Sequence, residues 1–221
     1  MKQSRQVVYF IFFMISVHVI QGQNSYLFEK NNFIRGNDSL PYRLMRPVFT
    51  DTSTDYPLVI FLHGAGERGK DNEKQLLNGP LNFASSYYRN VFPCYMLVPQ
   101  CAPNFRWVET DWNLPSHIMP DTPSVYFSRA IMLMDSLIKS LNIDTNRIYI
   151  TGLSMGGFGT WDAICRWPQK FAAAVPVCGG ADTSKAFIIK DIPVWVFHGA
   201  NDKVVKTSRS RDMIAKLKAA G

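Results

Sequence analysis

Histidine is scarce in this chain. Four are present among 221 residues, at His18, His63, His117 and His198. Cysteine is equally scarce, and Cys94, Cys101, Cys165 and Cys178 stand at none of the short spacings that hold zinc or an iron–sulfur cluster. No glycine-rich phosphate loop, internal repeat, linker or low-complexity tract occurs, which sets aside nucleotide-phosphate sites and solenoids, and nothing asks for a cofactor or a metal. Long apolar runs are missing too. The longest extends from Val7 to Ile20 and is broken only by Ser16 and His18, short of the roughly 20 residues a membrane-spanning helix needs.

That run has its own reading. Lys2 and Arg5 precede it, no acid occurs among residues 1–22, and the small residue Gly22 follows a short polar exit. A basic start, an apolar middle and a small-residue exit make a secretory signal peptide, with cleavage expected near Gly22 and the mature domain at 23–221. No cysteine lies near that point to carry a lipid, so no stable membrane anchor is expected after cleavage. The destination is secreted or periplasmic. Export would permit disulfides, although Cys94 and Cys101 cannot bridge across an extended Tyr95–Pro99, whose span of about 23 Å exceeds the roughly 7 Å limit.

The formal net charge is +7, and loss of Lys2 and Arg5 with the leader leaves +5. Lys203, Lys206, Arg209, Arg211, Lys216 and Lys218 cluster near the end of the sequence. Without interleaved aromatics or a recognition motif they read as the solvated face of a terminal helix, and no nucleic-acid partner is expected.

Apolar runs at 57–62, 95–99, 147–151, 171–178 and 192–197 read as strands, most of them buried on both faces. Looser alternation at 26–34 and 40–47 adds two leading antiparallel strands joined through Gly36-Asn37-Asp38. Helices are expected over most of 72–90, at 125–141, at 158–167 and at 206–219. Strand and helix alternate, so the fold class is α/β, a mostly parallel sheet with helices on both faces and a single domain.

The most informative stretch is Ile148-Tyr149-Ile150-Thr151 running into Gly152-Leu153-Ser154-Met155-Gly156-Gly157. A serine on a tight strand-to-helix turn projects its hydroxyl above the sheet edge, where the next backbone N–H can stabilise an oxyanion. Ser154 is therefore the candidate nucleophile. His63-Gly64-Ala65-Gly66 follows a buried strand at a place where a loop can supply a second donor, so the amides of Ala65 and Met155 are the candidate oxyanion hole. His63 itself reads as a structural hydrogen-bond partner rather than the base. Asp202, just past the 192–197 strand, is the candidate acid, with Asp182 the weaker choice. Trp107 and Trp112, with Arg106, Glu109 and Asp111, are candidates for an aromatic substrate cleft.

Leu62-His63-Gly64-Ala65-Gly66, the Gly152–Gly157 stretch and His198-Gly199-Ala200-Asn201-Asp202 stand in the order used by the α/β-hydrolase superfamily. Gly64-Ala65-Gly66-Glu67-Arg68-Gly69-Lys70-Asp71-Asn72 and Val98-Pro99-Gln100-Cys101 further resemble its secreted esterase and predicted-peptidase branch, near the phospholipase/carboxylesterase, feruloyl-esterase and dienelactone-hydrolase-like groups. The resemblance covers about residues 42–221. It implies a serine hydrolase that cleaves carboxylic esters through an acyl-enzyme on Ser154, acting on a small-molecule or polysaccharide-linked ester.

One feature departs from that pattern. The resemblance places the triad histidine after the acid, and no histidine follows Asp202. The expectation is a C-terminally truncated hydrolase domain, weak or inactive as a fragment because its base is missing. Two alternatives stand beside it, a prolyl-oligopeptidase-like serine peptidase and a non-catalytic binding module on the same fold.

Overall fold

The structure, a computed structural model, describes residues 24–36, 38–51 and 53–221. The expected leader and Asn37 of the first turn lie outside the described residues. Strands β1 (Phe28–Arg35), β2 (Asp38–Met45), β3 (Tyr56–Leu62), β4 (Tyr95–Pro99), β5 (Ile143–Leu153) and β6 (Ala173–Val177) form one sheet in the order β1-β2-β4-β3-β5-β6. β1 and β2 pair antiparallel, as do β2 and β4, and the other three pairings are parallel. The crossovers place helices on the two faces.

Period-two alternation decides which residue enters which layer. Leu58, Ile60 and Leu62 face the larger core with Leu97, Ile148 and Ile150, beneath helix α3 (Val125–Ser140), helix α4 (Met155–Arg166) and helix α5 (Ser208–Ala220). Phe61, Met96 and Val98 face the other side and pack with Phe28, Met45, Leu76 and Ala84. Leu81 and Phe83 of the short helix α1 (Pro80–Phe83) pack against that second, smaller core, and helix α2 (Ser86–Val91) follows. α3 begins at Ser124, whose hydroxyl accepts the Phe127 amide at 3.2 Å, and it buries the apolar stripe Phe127, Ala130, Ile131, Met134 and Leu137.

Two expected elements differ. Residues 72–90 form short turns and the two small helices rather than one long helix. The chain breaks at Gly79, whose φ of +115° and close approach to the Phe61 ring leave no room for a side chain, and it restarts where Ser85 accepts the Tyr88 amide. The 192–197 stretch runs parallel to β6 but meets it only at the bridges Ala174↔Val194 and Val177↔Phe197. Pro176 and Pro193 each lack an N–H, so a continuous ladder cannot form there. All four cysteines are free thiols. Among the described residues no helix is long and apolar enough to cross a membrane.

Candidate active site

β5 ends at Leu153, α4 begins at Met155, and Ser154 makes the whole turn between them with φ 54° and ψ −112°. Non-glycine residues avoid this backbone region, and strain of this kind is retained where the surroundings enforce it. Here the Ser154 amide donates to Val177 O at 2.9 Å, and Ser154 O accepts the Phe158 amide at 3.0 Å.

Close backbone packing holds the turn in place. A Cβ on Gly156 would sit 1.8 Å from Leu62 O, and one on Gly157 would sit 2.4 Å from Val177 O. The helix therefore lies directly on the ends of β3 and β6. Met155, at the first position of α4, has a free N–H, as first-turn residues do.

The second loop arrives at the same point. A Cβ built on Gly64 would be 3.8 Å from Ser154 Cβ, 3.4 Å from Leu153 O and 2.9 Å from Glu67 Oε2. Ala65 opens the 3₁₀ turn Ala65–Glu67, whose closing bond runs from the Glu67 amide to Gly64 O at 3.3 Å. The structure thus brings Ser154, Met155 and the Gly64–Ala65 segment together at the carboxyl edge of the sheet.

A buried polar network fixes that loop. Gln100, fully buried, donates to Glu67 O at 3.2 Å and to Asp71 Oδ1 at 3.0 Å, and its own carbonyl accepts the Asn72 amide at 2.7 Å. Arg68 closes back on Ala65 O at 2.8 Å, and Asn78 donates to Glu67 Oε1 at 2.5 Å. Partial burial pushes the Asp71 carboxyl up, but the Lys74 amide, Gln100 and the Glu73 amide more than reverse it and hold the group at about 2. The roles of Gln100, Glu67 and Asn78 were not read from sequence individually, because their partners lie 11 to 33 residues away.

His63 is buried. Its Nε2 accepts the Cys101 amide at 3.0 Å, and its Nδ1 lies 2.6 Å from Gly64 O. Burial lowers its pKa to about 4, so the ring is neutral at pH 7. Trp107 has no exposed surface; its indole N–H donates to His63 O at 3.0 Å and its ring stands edge-on to His63. This corrects the cleft assignment for Trp107, since a fully buried ring pins the loop and leaves no face for a substrate. Trp112 is half-buried beneath the Arg106 guanidinium, 4.5 Å from the ring centre.

Asp202 lies past Phe197 on the same edge. Its Oδ1 accepts the amides of Val204 and Val205 at 2.8 and 2.9 Å, and its Oδ2 is 3.6 Å from His198 Nε2. Cys178 follows Val177, the last residue of β6. Burial raises its pKa, the Ser154 amide lowers it and the Asp202 charge raises it further. Cys178 is also at positive φ, 42°. Asp182 is committed elsewhere, accepting from Met119, Ser184 N and Ser184 Oγ.

The other two described histidines are occupied. His198 contacts Ser210 Oγ at 2.7 Å and Val205 O at 2.9 Å. His117 receives the Arg209 guanidinium on Nδ1, and burial together with that charge lowers it to about 4. An apolar cavity of about 610 Å³, lined by Tyr56, Val59, Phe83, Tyr88, Phe92 and Tyr149, opens at the opposite end of the strands.

Residues 111–196 match the prolyl oligopeptidase family. A solved thermostable esterase superposes with a TM-score of 0.83 at 44% identity, covering 90% of this chain and 53% of its own. The chain is 29% identical over 163 residues to acyl-protein thioesterase 1 homolog 2 of Dictyostelium discoideum, across 69% of this chain and 73% of that protein. It is 36% identical over 73 residues to a bifunctional acetylxylan esterase/xylanase of Neocallimastix patriciarum, across 33% of this chain and 11% of that one. The chain thus spans about half of the solved esterase and a small part of the xylan-acting enzyme. By fold and by these similarities, the chain has the α/β-hydrolase fold and is similar to its esterase-like members.

Proposed function

We propose that this is the hydrolase domain of a secreted serine esterase that cleaves carboxylic esters through an acyl-enzyme on Ser154. The amides of Ala65 and Met155 hold the tetrahedral oxyanion, and water releases the acyl group. Asp202 is the acid for the imidazole that takes the serine proton, a group that none of the described histidines supplies. One of its oxygens is held by two backbone amides, and the other keeps a partly open side. The observation that carries the reading is the backbone of Ser154, strained at φ 54° between strand and helix and locked there by Gly156 and Gly157.

None of the three described histidines is free to act as the base, so we expect the chain alone to react slowly, retaining the contribution of oxyanion donors and binding. Similarity to the acetylxylan esterase/xylanase supports an ester carried on a polysaccharide, and the relative described as an uncharacterized secreted protein of Arthroderma benhamiae supports export. A fluorophosphonate probe should label the chain, and Ser154→Ala should abolish labelling. Labelling that persists in the variant would remove the serine from the mechanism. The prolyl oligopeptidase match supports a second reading, a peptidase using the same groups on an amide. Parallel ester and peptide panels separate the two, since only the peptidase would turn over unactivated amides.

A further inference from the structure

The oxyanion donor expected at Ala65 is the N–H of the peptide unit whose carbonyl belongs to Gly64. That carbonyl is the group His63 Nδ1 touches at 2.6 Å. On the far side of the ring, Nε2 faces the Cys101 N–H at 3.0 Å. A backbone N–H can only donate, so Nε2 must be the unprotonated nitrogen, and in a neutral ring the proton then sits on Nδ1, pointing at Gly64 O.

Three dipoles are thereby aligned head to tail. The Cys101 N–H donates to the imidazole, the imidazole donates to the Gly64 carbonyl, and the same peptide group carries the Ala65 N–H, next to Gly64, whose Cβ position would lie 3.8 Å from Ser154 Cβ. Hydrogen bonds in series polarise one another, strengthening each by roughly 10–30%. Donation to a peptide carbonyl draws electrons from its nitrogen and makes the N–H a stronger donor.

We propose that His63 is a positioning residue for the ester chemistry: its Nδ1–H polarises the Gly64–Ala65 peptide and so strengthens the Ala65 oxyanion donor, while Cys101 N–H fixes the tautomer that makes this possible. The proposal rests on the serine-esterase reading and assigns a task to a histidine that reading does not use. Several surroundings keep the ring in this state. Trp107 covers it edge-on and donates to His63 O, so the backbone cannot rotate away. Burial, with the Arg68 charge nearby, opposes protonation, and the Asp71 charge favours it without restoring an ordinary pKa. The Glu67 amide shares Gly64 O at 3.3 Å, which fixes the carbonyl's direction.

Two substitutions separate donor from acceptor. His63→Gln places an acceptor where Nε2 sits and removes the Nδ1 donor. His63→Asn keeps a donor near Nδ1 and gives up the Cys101 bond. One oxyanion donor is worth about 10²–10³ in rate, so losing roughly 10–30% of its strength should slow fluorophosphonate labelling of Ser154 by about 1.6- to 8-fold in His63→Gln. In His63→Asn the rate should stay within about twofold of the parent on the same arithmetic.

Nitrogen-15 NMR of the unmodified chain at pH 7 should find the His63 proton on Nδ1, and the Ala65 amide proton should move upfield in His63→Gln. A proton on Nε2, or an Ala65 amide unmoved in a His63→Gln chain that labels at the parental rate, overturns the proposal. Equal slowing in both variants with an unmoved Ala65 amide also overturns it, because that pattern marks a purely structural residue. Should His63→Gln fail to fold, the tautomer in the parent chain and the Ala65 shift in His63→Asn decide. Labelling that survives Ser154→Ala would instead defeat the nucleophile assignment, and the tautomer and Ala65 shift would still decide whether the hydrogen-bond chain exists.

Discussion

Gly156 can carry nothing larger than a hydrogen. The position a Cβ would take lies 1.8 Å from Leu62 O, a backbone atom at the end of β3 that cannot yield as a side chain would. Gly156→Ala should destabilise the fold by more than about 3 kcal/mol in urea denaturation, whereas Gly199→Ala, with open space around it, should change stability by less than about 0.5 kcal/mol. Equal effects would show that α4 can lift from the strands at little cost. Sequence makes part of this legible. Glycines around Ser154 announce a tight turn, because only a backbone without Cβ fits there. It does not announce which neighbour each glycine touches, since Leu62 and Val177 come from other strands. Trp107 shows the same limit: its residue type suits a cleft or an anchor equally, and only its complete burial against His63 decides for the anchor.

Among the elements, those with long single-period patterns were legible. β3 reads as an apolar run because both its faces are covered, and α3 reads as a helix because its stripe repeats at 3.6 residues. Residues 72–90 were not, because their path follows from the Phe61 ring beside Gly79 and from the hydrogen bonds of Gln100. The 192–197 stretch was half legible. Its apolar composition marks a strand, while Pro176 and Pro193 reduce its pairing to two bridges. Residues 193, 195 and 197 direct their backbone groups towards β6. The intervening Val194 and Val196 then direct theirs outward along an edge that also exposes Trp195 (69%) and Phe197. The double substitution Trp195→Lys/Phe197→Lys should leave stability within about 1 kcal/mol and reduce concentration-dependent association in light scattering. Unchanged association would clear this edge of the role.

The molecule as a whole should weaken steadily in acid. His63 and His117 are held at about 4 in the fold against an ordinary 6.5. As pH falls below about 6.5 the unfolded chain therefore takes up protons that the native rings refuse, and stability declines down to about pH 4. Asp71, held at about 2 against an ordinary 3.8, contributes stability that is present above pH 4 and is lost as pH falls towards 2. Asp182 is lowered too and acts in the same direction. The melting temperature should fall between pH 7.5 and 4.5, and His117→Gln should flatten that part of the curve. A melting temperature constant over that range would show that neither ring stays neutral in the fold.

At its first turn the helix that follows Ser154 meets two strands through main-chain atoms, with no side chain between Gly156 and Leu62 O or between Gly157 and Val177 O to compress or rotate. Warming or mild solvent stress would therefore reach the outer loops long before it reached this seam. Leu114 and His117 are held instead by a side chain, the Arg209 guanidinium of the last helix, and would loosen first. The reacting oxygen would keep its aim throughout, so looseness of that loop and accuracy of attack could vary independently in such a scaffold.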